Sequence, residues 1–99
     1  MSMPAAQIGS ITTGHGCWPP TIISQGATTV IGDVLPLSRI GDMAIPHVCV
    51  SFPFPAHGLI IATGSTTVII ESMPAARIGD FMSCSDIIAT GAPTIIIGG

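Results

Sequence analysis

Six side chains in this 99-residue sequence can ligate a soft metal or act as nucleophile and base: His15, His47, His57, Cys17, Cys49 and Cys84. Imidazole nitrogen and thiolate sulfur are the mixed donors that zinc accepts in a tetrahedron, and a thiol beside an imidazole is also the pairing of a cysteine nucleophile with its base. No C-x2-C spacing accompanies them, so local spacing alone says little. The stretch "TTGHGC" over 12–17 sets His15 between two glycines and two residues ahead of Cys17. Whether such a histidine ligates or is an ordinary loop residue depends on what gathers the six.

Aligning the chain on itself reveals the elements that must do so. One unit recurs as "TIISQGATTVIG" from Thr21, "LIIATGSTTVII" from Leu59 and "DIIATGAPTIII" from Asp86, with glycines at Gly26, Gly64 and Gly91. A second recurs as "MPAAQIGS" (3–10), "LPLSRIGD" (35–42) and "MPAARIGD" (73–80). The Thr-, Val- and Ile-rich segments 28–31, 66–70 and 94–97, bounded by Gly and Pro, read as strands. Helix is excluded by 12 Gly and 9 Pro and by the absence of a 3.6-residue period. Arg39 with Asp42, and Arg77 with Asp80, read as turn chemistry in which the carboxylate accepts backbone N–H groups, with a local ion pair. Gln7 and Ser10 stand there in the first copy, which argues against a charge-dependent role common to all three.

Between the units lie three variable segments, 11–20, 43–58 and 81–85, expected as loops, and all six candidate ligands fall in them. Their unequal lengths do not suit a solenoid with a fixed rung. Three similar units closing around one axis, with the loops gathered at one end, converge imidazoles and thiols on one point. If every loop contributes, Cys84 is compulsory, and the other ligands stay open among the remaining five. Catalysis is not expected, because these loops hold neither Glu nor Lys. Asp86 is the nearest carboxylate, Ser83 and Ser85 flank Cys84, and the chain has no Tyr. A small zinc-dependent hydrolase is the alternative reading.

Composition bounds the partners. Charged residues are 7% of the chain, against roughly 25% in an average domain, and mean hydropathy is +0.76. Such a surface is expected to be covered by a partner. Arg39 and Arg77 are the fixed cations against five acids, so nucleic acid is excluded as a partner. The uncharged stretch 43–63 is broken by three prolines and two histidines and is not expected to span a membrane. The N-terminal "MSMPAAQIGS" lacks the charge and apolar run of a signal peptide. Three cysteines cannot all pair within a chain and cytosolic thiols stay reduced, so a disulfide is not expected. The length suits one small domain over 1–99.

With Pro74-Ala75-Ala76-Arg77 and Pro4-Ala5-Ala6-Gln7 in repeated units, the chain resembles the PAAR-repeat family over nearly its whole length. The resemblance implies a small all-β cone, with pseudo-threefold strands and hairpins and a metal-bound tip. Such a cone sits on the blunt end of a trimeric VgrG-like (valine-glycine repeat) spike of type VI secretion systems, or on a related contractile phage-like tail. It sharpens the spike for puncturing membranes. One zinc per chain near the apex, held by three histidines and one cysteine, selects His15, His47, His57 and Cys84. Cys49, beside His47, is the alternative ligand and Cys17 a weaker one; otherwise both are expected as thiols packed behind the site. Further expectations are a chain monomeric on its own, one per spike trimer, with separately carried effector proteins and no appended effector domain. Contact with the target membrane would be transient. The chain would be cytoplasmic before firing, then delivered without a signal peptide outside the cell or into the target. Trp18, Phe52, Phe54 and Phe81 are expected to pack under the tip.

Overall fold

A computed structural model describes residues 2–49, 51–53 and 55–99, and among these there is no helix. Eight strands form four antiparallel pairs. β2 (Ile31–Gly32) pairs with β3 (Leu35–Pro36), β6 (Ile69–Ile70) with β7 (Met73–Pro74), and β8 (Ala92–Ile97) with β1 (Met3–Ala5). Their registers coincide: Ile31 faces Pro36, Ile69 faces Pro74 and Ile96 faces Pro4. The third hairpin therefore repeats the other two, with its strands drawn from opposite ends of the sequence. The fourth pair, β4 (Met43–Val48) with β5 (Ala56–Ile60), has no counterpart of its length.

The two repeated units explain the threefold arrangement. At the centre, Ala76 N–H donates to Ser38 O (3.0 Å), Ser38 N–H to Ala6 O (2.9 Å), and Ala6 N–H to Ala76 O (2.9 Å). This closed triangle brings three backbones to one axis, which requires small side chains there; all three residues are fully buried. The serine of "LPLS" fits because its hydroxyl finds Gln25 O at 2.8 Å. Beside the triangle, a Cβ on Gly64 would sit 2.7 Å from Ala75 O, and one on Gly26 3.0 Å from Leu37 O. Each repeat glycine thus marks a close approach to the next proline unit.

The turns that end the proline units agree with the sequence reading. Asp42 Oδ2 accepts the Arg39 amide and Asp80 Oδ2 the Arg77 amide, each at 2.8 Å, and both carboxylates also pair with the arginine side chain. In the first copy Ser10 Oγ accepts the Gln7 amide at 3.0 Å. The outward ends of these side chains serve a common purpose too. Gln7 Nε2 reaches Gly32 O, Arg39 reaches Glu71, and Arg77 reaches Gly98 O, each joining its unit to the next hairpin.

Two stacked apolar layers fill the body, which measures 41 × 25 × 22 Å. One contains Ala5, Leu37 and Ala75 with Ile70 and Ile97, beside the three repeated hairpins. The other contains Ala6, Ala76, Ile23, Ile61, Met82 and Ile88, and Cys84 packs against it. The hairpins therefore adjoin one apolar layer and Cys84 the other. The result is the small all-β architecture with three equivalent units.

Two expectations about elements need correction. The segments 28–31 and 66–70 are strand only at their ends, because Thr29 gives its amide and hydroxyl to Glu71, and Thr66 bonds to Gly99, instead of joining a ladder. The segment 43–58 is not a loop: most of it lies in the β4–β5 hairpin. No helix of the described residues is long and apolar enough to cross a membrane.

Candidate metal centre

The β4–β5 hairpin places two of the four residues selected above. His47 and His57 are directly opposed in register, so their side chains leave the same face, and their Nε2 atoms lie 2.7 Å apart. His15 arrives from a tight turn in which His15 and Trp18 exchange N–H···O bonds of 2.9 and 2.8 Å. Both glycines of TTGHGC take left-handed turn positions, with φ of +77° at Gly14 and +53° at Gly16. Gly14 also provides clearance: a Cβ there would meet Trp18 O and Pro20 N at 2.8 Å, whereas one on Gly16 would make only ordinary contact with the Trp18 ring at 3.8 Å. His15 Nε2 lies 3.2 Å from both other Nε2 atoms. Cys84 enters from the third side, on a turn closed by Ser85 N–H to Met82 O (3.0 Å).

The ligand atoms of His15, His47, His57 and Cys84 all lie within 4.8 Å of one another, so this group could hold a metal ion. A tetrahedral ion with bonds near 2.0–2.1 Å to nitrogen has N···N edges of about 3.3 Å, close to the two 3.2 Å spacings. Proton accounting points the same way. Three mutually adjacent Nε2 atoms have only two states each, N–H or lone pair, so at least one adjacent pair must be alike and repel. A cation at the centre removes the conflict by taking all three lone pairs. His47 is oriented for this: its Nδ1 lies 3.0 Å from Pro19 O, a contact that places a proton on Nδ1 and turns Nε2 toward the other two rings. Burial, helped by the neighbouring His47 and His15, holds His57 below the ordinary histidine pKa, again favouring the neutral ring.

Around the donors stand further side chains that hold the loops in place. Trp18 stacks on His15 (centroids 5.1 Å, 21°), lies 4.7 Å from His57, and donates its indole N–H to Pro55 O at 3.1 Å. It packs at the tip, as expected. Phe52 is 86% exposed and Phe81 about half exposed; Phe54 lies outside the described residues. Asp86 is fully buried; its Oδ1 accepts the Thr13 hydroxyl (2.9 Å) and the Ile87 amide (2.8 Å), tying the first loop to the third. Burial pushes its carboxyl up, but the Thr12 and Thr13 hydroxyls and the Ile87 amide outweigh this and hold it below the usual carboxylate range. Asp86 Oδ2 is buried without a hydrogen-bond partner.

The largest correction concerns sulfur. Cys17 and Cys49 are not free thiols behind the site: they form a disulfide, with Cα atoms 4.9 Å apart, and neither stands in the ligand group. Cys84 is the free cysteine. The signal was present as a repeated H-x-C, His15-Gly16-Cys17 and His47-Val48-Cys49. If two histidines converge, thiols two residues beyond them come close as well.

Residues 53–99, which contain the third proline unit, His57, Cys84 and β8, match the PAAR motif family. That segment of the chain carries a PAAR motif. The motif covers the second and third glycine units, and the backbone triangle extends the same construction to the first proline unit, Pro4-Ala5-Ala6-Gln7. No curated protein matches the chain.

Proposed function

We propose that this PAAR protein is a structural tip that seats on the blunt end of a trimeric VgrG-like spike, one chain per trimer, and is stiffened by one zinc held by His15, His47, His57 and Cys84. The observation that carries the reading lies on the three repeated hairpins. Ile31, Ile69 and Ile96 occupy the same position on three equivalent hairpins and are 55%, 58% and 56% exposed. Three equal apolar contacts about one axis suit a threefold partner, and Val34, 93% exposed on the β2–β3 turn, adds to the first of them. Covering them would account for a chain with so few charges.

Zinc fits the donor set and would cross-link the three loops where they have little core of their own. Four protein donors fill a tetrahedral shell and leave no open position for a substrate, which supports a structural ion over a catalytic one. Three neutral imidazoles and one thiolate leave one positive charge on the centre, and the buried Asp86 carboxylate supplies the counter-charge. In our reading the tip is made in the cytoplasm and drives the spike through a target membrane.

The decisive experiment is co-purification with a trimeric spike. One PAAR chain per trimer supports the reading, and an Ile31→Asp/Ile69→Asp/Ile96→Asp variant should keep its metal but lose the spike. Failure of the unaltered chain to bind, or zinc-dependent hydrolytic turnover, would overturn it.

A further inference from the structure

We infer that the Cys17–Cys49 disulfide is a latch on the metal centre: it positions His15 against His47 and His57, so that the oxidised protein retains its metal and the reduced protein releases it. The inference rests on the four-ligand metal reading above and adds redox control to that site.

The argument begins with what otherwise holds the His15 turn. No residue from 13 to 20 belongs to either apolar layer. The bonds between His15 and Trp18 are internal to the turn and do not set its place. Beyond Gly14, its hydrogen bonds to the second loop are the Trp18 indole N–H to Pro55 O and the His47 Nδ1 to Pro19 O contact, and Trp18 also lies 4.7 Å from the His57 ring, itself one of the ligands. The first is solvent-exposed and the second depends on the ligand it would have to position. Cys49 is different. It is 4% exposed, and its amide donates to Pro55 O at 2.8 Å, so it is anchored in the β4–β5 hairpin. The disulfide thus joins a weakly held turn carrying one ligand to a rigid hairpin carrying two, at positions two residues from His15 and two from His47.

The other loops already have ties that need no sulfur. The first is joined to the third by Asp86 with Thr13 and by Thr13 N–H to Ile87 O (2.8 Å). The β4–β5 hairpin is joined to the third loop by Ser83 N–H to Ile60 O (2.7 Å). Cutting the disulfide therefore frees one ligand, His15, more than it loosens the body. Groups that orient ligands without touching the metal typically change affinity by about 10- to 100-fold. A compartment that keeps thiols reduced would leave the site exchangeable, and an oxidising one would lock it.

The test uses the full chain loaded with one equivalent of zinc and follows transfer to a chromophoric chelator. Three forms are compared: oxidised protein, protein reduced with a water-soluble phosphine, and a Cys17→Ser/Cys49→Ser variant. The phosphine takes up oxygen from water to become its oxide while the disulfide gains two electrons and two protons as thiols, and no competing dithiol is introduced. The expected result is transfer about 10- to 100-fold faster from the reduced and the serine forms, with circular dichroism unchanged. Equal transfer, or tighter binding after reduction, overturns the latch and leaves the metal site standing. Absence of bound zinc from the oxidised protein overturns both. Loss of the folded spectrum together with the metal in both altered forms would make the disulfide a general staple and overturn its role as a positioning bond.

Discussion

Replacing Asp80 tests whether the PAAR turn is held by charge or by satisfaction of its backbone. In the third unit, Asp80 Oδ2 accepts the Arg77 amide at 2.8 Å and its Nε at 3.1 Å, while Oδ1 accepts Arg77 Nη2 at 3.2 Å and the Thr63 hydroxyl at 3.0 Å. Asp80→Ala removes all four bonds. A buried amide left without an acceptor costs about 1–3 kcal/mol and the lost hydroxyl bond about 1. With the two side chains only 13% and 8% exposed, loss of one partner of the ion pair brings the expected total to about 3–5 kcal/mol. The first unit holds the same turn with Gln7 and Ser10 and no charge. Transplanting that solution, Arg77→Gln with Asp80→Ser, gives the amide an acceptor and the new side chain a carbonyl, Gly98 O, to reach. The double variant should lose less than about 2 kcal/mol. Urea unfolding of the zinc-loaded protein, followed by circular dichroism, reads both values. If the double variant is as unstable as Asp80→Ala, charge pairing carries the turn and the backbone argument is wrong.

His15→Ala should lower zinc occupancy and melting temperature together, measured by native mass spectrometry and calorimetry; unchanged occupancy would remove His15 from the ligand set. Gly64→Ala places a methyl 2.7 Å from Ala75 O, a carbonyl pinned by the Ser65 amide at 2.8 Å, and should cost about 1–3 kcal/mol in thermal unfolding. For metal-free protein, His57 is held below its ordinary value near 6.5, so the unfolded chain takes up the proton first. Stability should be full above about pH 6.5 and fall as pH drops from there through the lower folded value. Urea midpoints that stay level between pH 8 and 5 would contradict the burial argument.

The repeats made the threefold plan legible, because Gly26, Gly64 and Gly91 and the three proline units each do one job three times. The convergence of His15, His47, His57 and Cys84 was legible only through that plan together with the family resemblance, since no local spacing announces it. What could not be read were contacts without a repeat. The β4–β5 hairpin is interrupted by prolines and a register shift, which hide its alternation. The Cys17–Cys49 bond was rejected on compartment and parity, arguments that ignore geometry. The threonines of 28–31 and 66–70 carry high strand propensity, yet the Glu71 carboxylate and the Gly99 carbonyl claimed donors of Thr29 and Thr66. Propensity describes a residue's preference among average neighbours, and here particular neighbours decided.

The β8–β1 hairpin also fixes the order in which the molecule can be assembled. Two corners of the ring close within a few residues of chain, but the third needs residue 3 to find residue 97. Each edge of the axial triangle joins two different units, so two of its three bonds involve Ala6. Until β8 has been synthesised, the first proline unit has no partner strand for β1, and the ring stays open on one side. Completion is then a single long-range event, slow in proportion to the loop-closure entropy it must overcome. A circularly permuted chain, joined across residues 99 and 1 and reopened between Asp33 and Val34, would build the same ring but make a different corner the last to close.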